Sequence, residues 1–183
     1  MQETILSICL GIGLAASVGF RVFLPLLALS LAGHYDIVPL SENWEWISGT
    51  ISICILSIAT IAEILAYYIP WFDNILDTLA IPLATIAGTA VMVSAITDLS
   101  PVVTWALAII AGGGTAATVK STMGATRLTS TATTGGVANP LVATVETGTA
   151  TIMSAASVFI APLAVVLVVI LLFGIRKLFK KLF

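Results

Sequence analysis

The first apolar stretch runs from about Thr4 to Ala32. As one helix it would be roughly 43 Å long, more than the roughly 30 Å of a bilayer's hydrocarbon core. Gly19 and Pro25 flank Arg21 in "SVGFRVFLP", so the stretch either tilts or breaks there. "AGHYDIVPLSENWEW" follows as a polar connection, with His34 near Asp36 and with Trp44 and Trp46 as interface anchors. A second span is predicted over about Ile47 to Ile69 with Glu63 inside it. Tyr67, Tyr68 and Trp71 are expected at interface depth, and Pro70 is placed to open the next element.

A third span is predicted from about Leu79 to Ile96, followed by a turn at Asp98. A fourth starts at Pro101 and passes through "AGGGTAATVKSTMG", whose small residues let another helix come close. Polarity then rises: ten of the twenty residues from Thr115 to Thr134 are Ser or Thr. "TSTATTGGVANP" cannot be a lipid-exposed loop, because its backbone groups would lack partners. A short helix starting near Asn139 or Pro140 and holding Glu146 is expected next, then a span reaching Ile175, with Pro162 as a further break.

Composition agrees with this pattern. The 183 residues are 59% hydrophobic and 9% charged, with mean hydropathy +1.15; soluble domains carry about 25% charge. The chain reads as an all-α, polytopic helical membrane protein with five to six membrane-embedded helices, some broken or short, in a single transmembrane domain over residues 1–183. The start lacks a basic n-region, so no cleaved signal peptide is expected. Cys9 and Cys54 lie in apolar runs without metal-ligand spacing.

The seven basic residues are Arg21, Lys120, Arg127 and four in the terminal "RKLFKKLF". Residues 176–183 therefore form a basic amphipathic tail, expected on the cytoplasmic face against anionic lipid. No basic patch suits nucleic acid. With Lys120 and Arg127 also inside, six elements place both termini in the cytoplasm; five spans with an outward N-terminus is the rival. "SVGFR" and "MGATR" each put a glycine shortly before an arginine. That suggests halves over 1–98 and 101–175, inverted if each holds three elements.

The charges inside the apolar runs carry the candidate chemistry. One charge at the bilayer centre costs at least about 2.5–3.5 kcal/mol on an insertion scale. Arg21, Glu63, Lys120 and Glu146 must therefore pair, line water or bind something. Arg21 with Glu63 is the expected first pair, and Lys120 or Arg127 with Glu146 the second. Lys120, Gly124 and Arg127 share one helix face if the helix persists. Asp73, Asn74 and Asp77 form a second polar patch with Asp98; Asp73 and Asp77 are weak candidates for a metal. No nucleophile elbow, HExxH, Walker or dinucleotide fingerprint occurs.

Three ordered blocks, "GFRVFLPLLALSLAG", "AEILAYYIPWFDNILDTLAIPLATIAGTA" and "KSTMGATRLTSTATTGGVANPLVATVE", resemble the DUF4126 family of bacterial membrane proteins. The resemblance runs from about Gly19 to Leu171. It rests on Arg21, Pro25, Glu63, Pro70, Asp73, Asp77, Pro82, Gly88, Lys120, Arg127, Asn139, Pro140 and Glu146. Family members often have Asp-Lys where this chain has Tyr67-Tyr68, so the cation that the family places after Glu63 is absent here. The resemblance implies membrane location and candidate residues but names no substrate. The expectation is a small transporter or channel for an ion or small polar solute, working as a homodimer or higher homo-oligomer in the bacterial cytoplasmic membrane. Its ion path would use Arg21, Glu63, Lys120, Arg127, Asn139 and Glu146. A scaffold or lipid-binding protein is the alternative, a membrane-embedded enzyme a minor one, and no cofactor is expected.

Overall fold

The computed structural model describes residues 2–182; the side chains of residues 70–75, 77–78 and 178–182 fall outside that description. Among the described residues every regular element is helical. The first apolar stretch breaks rather than tilts: α1 covers Gln2–Phe20 and α2 covers Phe23–His34. Pro25 falls in the first turn of α2, where a missing N–H costs nothing. Past His34 the chain turns through Asp36 in the left-handed region, φ 55°. A 3-10 segment, Glu42–Ser48, then meets α3 (Thr50–Ala66) at a 62° bend. Ser30 Oγ donates to the Ile47 carbonyl at 2.5 Å, and the Ser41 N–H donates to the Ser94 carbonyl at 2.9 Å. These bonds tie the connection to the helices beneath it.

α4 spans Pro70–Ala95, opening on Pro70 and continuing through Pro82. It therefore starts well before Leu79, the predicted start of the third span. α5 (Pro101–Leu107), a π-helical segment (Ala108–Gly113) and α6 (Gly114–Thr134) form one continuous run of 34 residues. At 1.5 Å per residue that run is roughly 50 Å long, more than the roughly 30 Å of a hydrocarbon core. Gly135 and Gly136, at φ 63° and 87°, supply the left-handed stop.

α7 (Asn139–Phe159) holds Glu146 as expected, but with 21 residues it is not short. It is divided from α8 (Ala161–Leu182) at Ile160 instead of at Pro162. Pro162, like Pro25, sits in a first helical turn and is absorbed there.

α1 occupies the centre, packed on by α4, α6, α7 and α8, and is wholly buried from Gly13 to Phe20. Small residues permit this density. A Cβ placed on Gly112 would stand 2.6 Å from the carbonyl oxygen of Gly88, so α4 and the π segment cross backbone to backbone. The outside is apolar: Ile51, Ile55, Ile58 and Leu65 on α3 and Val166, Val169 and Phe173 on α8 are exposed. The inside holds Arg21, Glu63, Lys120, Arg127 and Glu146. An apolar rind around charged side chains suits lipid as solvent.

Among the described residues three helical runs are long and apolar enough to cross a membrane: Gln2–Phe20, Pro101–Thr134 and Asn139–Phe159. A fourth is added if the 3-10 segment and α3 count as one bent span. The protein is an all-α, multi-span membrane protein.

Candidate functional site

The break between α1 and α2 begins the site. A helix start leaves backbone N–H groups without partners. Glu63, in the last turn of α3, supplies them: Oε1 accepts the Val22 N–H at 2.8 Å and Oε2 the Phe23 N–H at 3.0 Å. Both carboxylate oxygens are spent on α2, and the expected Arg21–Glu63 pair does not form. Arg21 turns toward α7 instead. Its Nε donates to Thr147 Oγ1 at 3.0 Å and its Nη2 to the Ala143 carbonyl at 2.9 Å, while Nη2 stands 3.8 Å from Glu146 Oε2.

Glu146 receives Arg127 on both oxygens: Nε donates to Oε1 at 3.1 Å and Nη2 to Oε2. This two-pronged match is the strongest geometry available between the two groups. Of the two partners expected for Glu146, Arg127 takes the bond. α6 remains helical through this region, so Lys120 and Arg127 do share its inner face, with Gly124 between them. Lys120 Nζ donates to Tyr67 Oη at 3.0 Å.

Tyr67 is the site residue that sequence reasoning did not include. Expected at interface depth, it is 3% exposed and central. The guanidinium carbons of Arg21 and Arg127 lie 4.1 and 4.0 Å from its ring centroid, and Lys120 Nζ lies 5.1 Å away. A ring face carries negative charge, so one tyrosine attracts several cations in a space too dry for solvent. The available signal was spacing: Tyr67 follows Glu63 by four residues and so shares its helical face. Tyr68 points elsewhere, to Thr144 Oγ1 at 2.8 Å.

Among the described residues, the remaining candidates Asn139 and Asp98 take other positions. Asn139 Nδ2 donates to Thr131 Oγ1 at 3.0 Å, bracing the α6–α7 turn. Asp98 is exposed and borders a polar cavity of about 490 Å³ shared with Glu42, Trp44 and Trp105. The side chains of Asp73, Asn74, Asp77 and Trp71 lie outside the described residues. Among the described residues no group of three or more His, Cys, Asp or Glu is arranged to hold a metal. His34 Nδ1 is 2.9 Å from the Ser48 carbonyl, closing the polar connection. A second cavity, apolar and about 270 Å³, is lined by residues of α2 and α7 such as Leu24, Ala28 and Val158. Neither cavity is lined by a member of the cluster.

Four pieces of chain thus bring Arg21, Glu63, Tyr67, Lys120, Arg127 and Glu146 together. Such an arrangement gathers three cations and two carboxylates around one aromatic ring inside the bundle. No curated protein and no solved structure matches the chain. The model of one family, described as "Domain of unknown function (DUF4126)", matches residues 8–181, with all six cluster residues inside that range, and the chain belongs to that family.

Proposed function

We propose that the protein is a small membrane transporter or channel for an ion or small polar solute, with the Arg21–Glu63–Tyr67–Lys120–Arg127–Glu146 cluster as its polar site. The observation that carries this reading is the convergence of five charged side chains, from the α1–α2 break, α3, α6 and α7, buried inside the bundle. Intramembrane ionisable groups are costly and mark solute paths. A broken span beside a cluster of this kind is the arrangement through which transporters reach a midplane site. The two arginines of "SVGFR" and "MGATR" approach one carboxylate, Glu146, which supports two inverted halves folded onto each other. In this reading five or six elements are membrane-embedded, the C-terminus is cytoplasmic in the bacterial inner membrane, and two copies build the pathway. No enzymatic step is assigned.

Flux into liposomes containing the purified protein tests the proposal. Wild-type protein moves a candidate ion; Glu146→Gln and Glu63→Gln reduce the flux by tenfold or more while the protein still folds. Absence of flux for every ion tried removes the transport reading.

A second reading, a scaffold without transport, draws support from the saturation of Glu146 by Arg127 and of Glu63 by α2. There the same substitutions abolish assembly, and no flux exists to lose.

A further inference from the structure

Both carboxylates of the cluster are already engaged. Glu63 serves the backbone of α2, and Glu146 holds Arg127 on both oxygens. Arg21 and Lys120 are left with neutral acceptors. Arg21 uses a threonine hydroxyl and a backbone carbonyl, and its 3.8 Å approach to Glu146 is beyond hydrogen-bond reach. Its Nη1 has no hydrogen-bond partner, although the residue is fully buried at 0% exposure. Lys120, 3% exposed, donates one hydrogen bond, to the Tyr67 hydroxyl. An ammonium can donate three. Buried cations held by neutral oxygens recover little of what desolvation costs them. Two such cations lie within 5.1 Å of the centroid of one ring.

Resting on the transport reading above, we propose that Arg21 and Lys120 form the docking point of a small monovalent anion, and that this anion is the solute carried. It takes the free Nη1 of Arg21 and the spare donors of Lys120, beside the Tyr67 hydroxyl. The donors set the class of ligand. A guanidinium edge and an ammonium suit chloride or a planar oxyanion such as formate. A second negative charge would meet Glu146, whose Oε2 lies 3.8 Å from Arg21, and is disfavoured. Among the described residues of the cluster, the oxygens of Glu63 and Glu146 all accept hydrogen bonds already, which leaves a cation poorly served.

The experiment uses the full-length protein in detergent and in liposomes. Melting is compared in sodium chloride, sodium formate and sodium gluconate at equal sodium concentration. Chloride or formate raises the melting temperature saturably over the bulky gluconate. Lys120→Met weakens that response by about tenfold or more, and Lys120→Arg keeps it. Equal melting of wild type in the three salts overturns the proposal, as does an undiminished response in Lys120→Met. If Lys120→Met does not fold, chlorine NMR line broadening on wild type decides. Broadening relieved by formate supports the site; its absence overturns it. Flux then separates this proposal from the one it rests on. Potassium or proton flux without anion flux or anion-dependent melting sinks the anion and leaves transport standing. Anion-dependent melting without flux of any ion keeps the docking point and ends its role as a carried solute.

Discussion

Glu146 receives two hydrogen bonds from Arg127 and stands 3.8 Å from Arg21, with about 1% of its surface exposed. Removing one partner of a buried ion pair leaves the other charged and unpaired, which costs about 3–5 kcal/mol. Glu146→Ala should therefore lower thermal stability sharply in detergent, more than any substitution on the lipid-facing side of α7; an unchanged melting temperature would refute the pairing. Tyr67 separates ring from hydroxyl. Tyr67→Phe removes the acceptor of the Lys120 ammonium, a bond to a charged donor worth about 1.5–3 kcal/mol. Tyr67→Ala also removes a buried ring from among three cations and should cost about 3–5 kcal/mol. A melting comparison of the two variants checks the order. The ionisable members of this cluster were legible in the sequence because charges stand out in apolar chain. Their partners were not. Glu63 caps a helix instead of meeting Arg21 because the α1–α2 break presents two needy N–H groups, and only the folded arrangement reveals which acceptor reaches them.

At the scale of elements, the break is the feature most dependent on a remote residue. The Val22 and Phe23 amides should be protected from hydrogen exchange in the wild-type protein and exchange faster in Glu63→Ala. The accompanying loss of about 0.5–2 kcal/mol is typical of a missing helix cap. Similar exchange in both proteins would mean that α2 starts without help from α3. Gly88→Ala tests a different contact. Its new methyl would stand 2.6 Å from Ala116 Cβ and 2.9 Å from the Gly112 carbonyl oxygen. Overpacking of this kind costs about 1–3 kcal/mol, read as a lower melting temperature, whereas Gly114→Ala, facing open space, should be neutral or stabilising. Flanking Gly19 and Pro25 made the break visible in the sequence. The full length of α7 was less visible, because Gly148 and the threonines around Glu146 are indifferent helix formers. Their hydroxyls bond back to carbonyls four residues earlier, as at Thr144, Thr147, Thr149 and Thr151, and the helix continues through them.

Across the whole molecule, polarity is turned outside in, and that much followed from composition. The charge asymmetry adds a direction to it. If the basic tail lies inside, the connection holding Glu42 and Glu45 should face out. A single cysteine at position 42, in a background lacking Cys9 and Cys54, should react with a membrane-impermeant maleimide in intact cells, and one at position 177 only after permeabilisation. The reverse pattern would invert the topology. α1 raises a different matter, one of timing. Synthesis runs from the N-terminus, so α1 leaves the ribosome before α4, α6, α7 and α8, which enclose Gly13–Phe20. Until α8 is translated, α1, apolar enough to cross a membrane, holds Ser17 and the adjoining Arg21 without the helices that enclose them. The centre of the bundle is thus made before its walls, and Arg21 is synthesised ahead of Tyr67, Ala143, Glu146 and Thr147, the groups it meets in the folded protein.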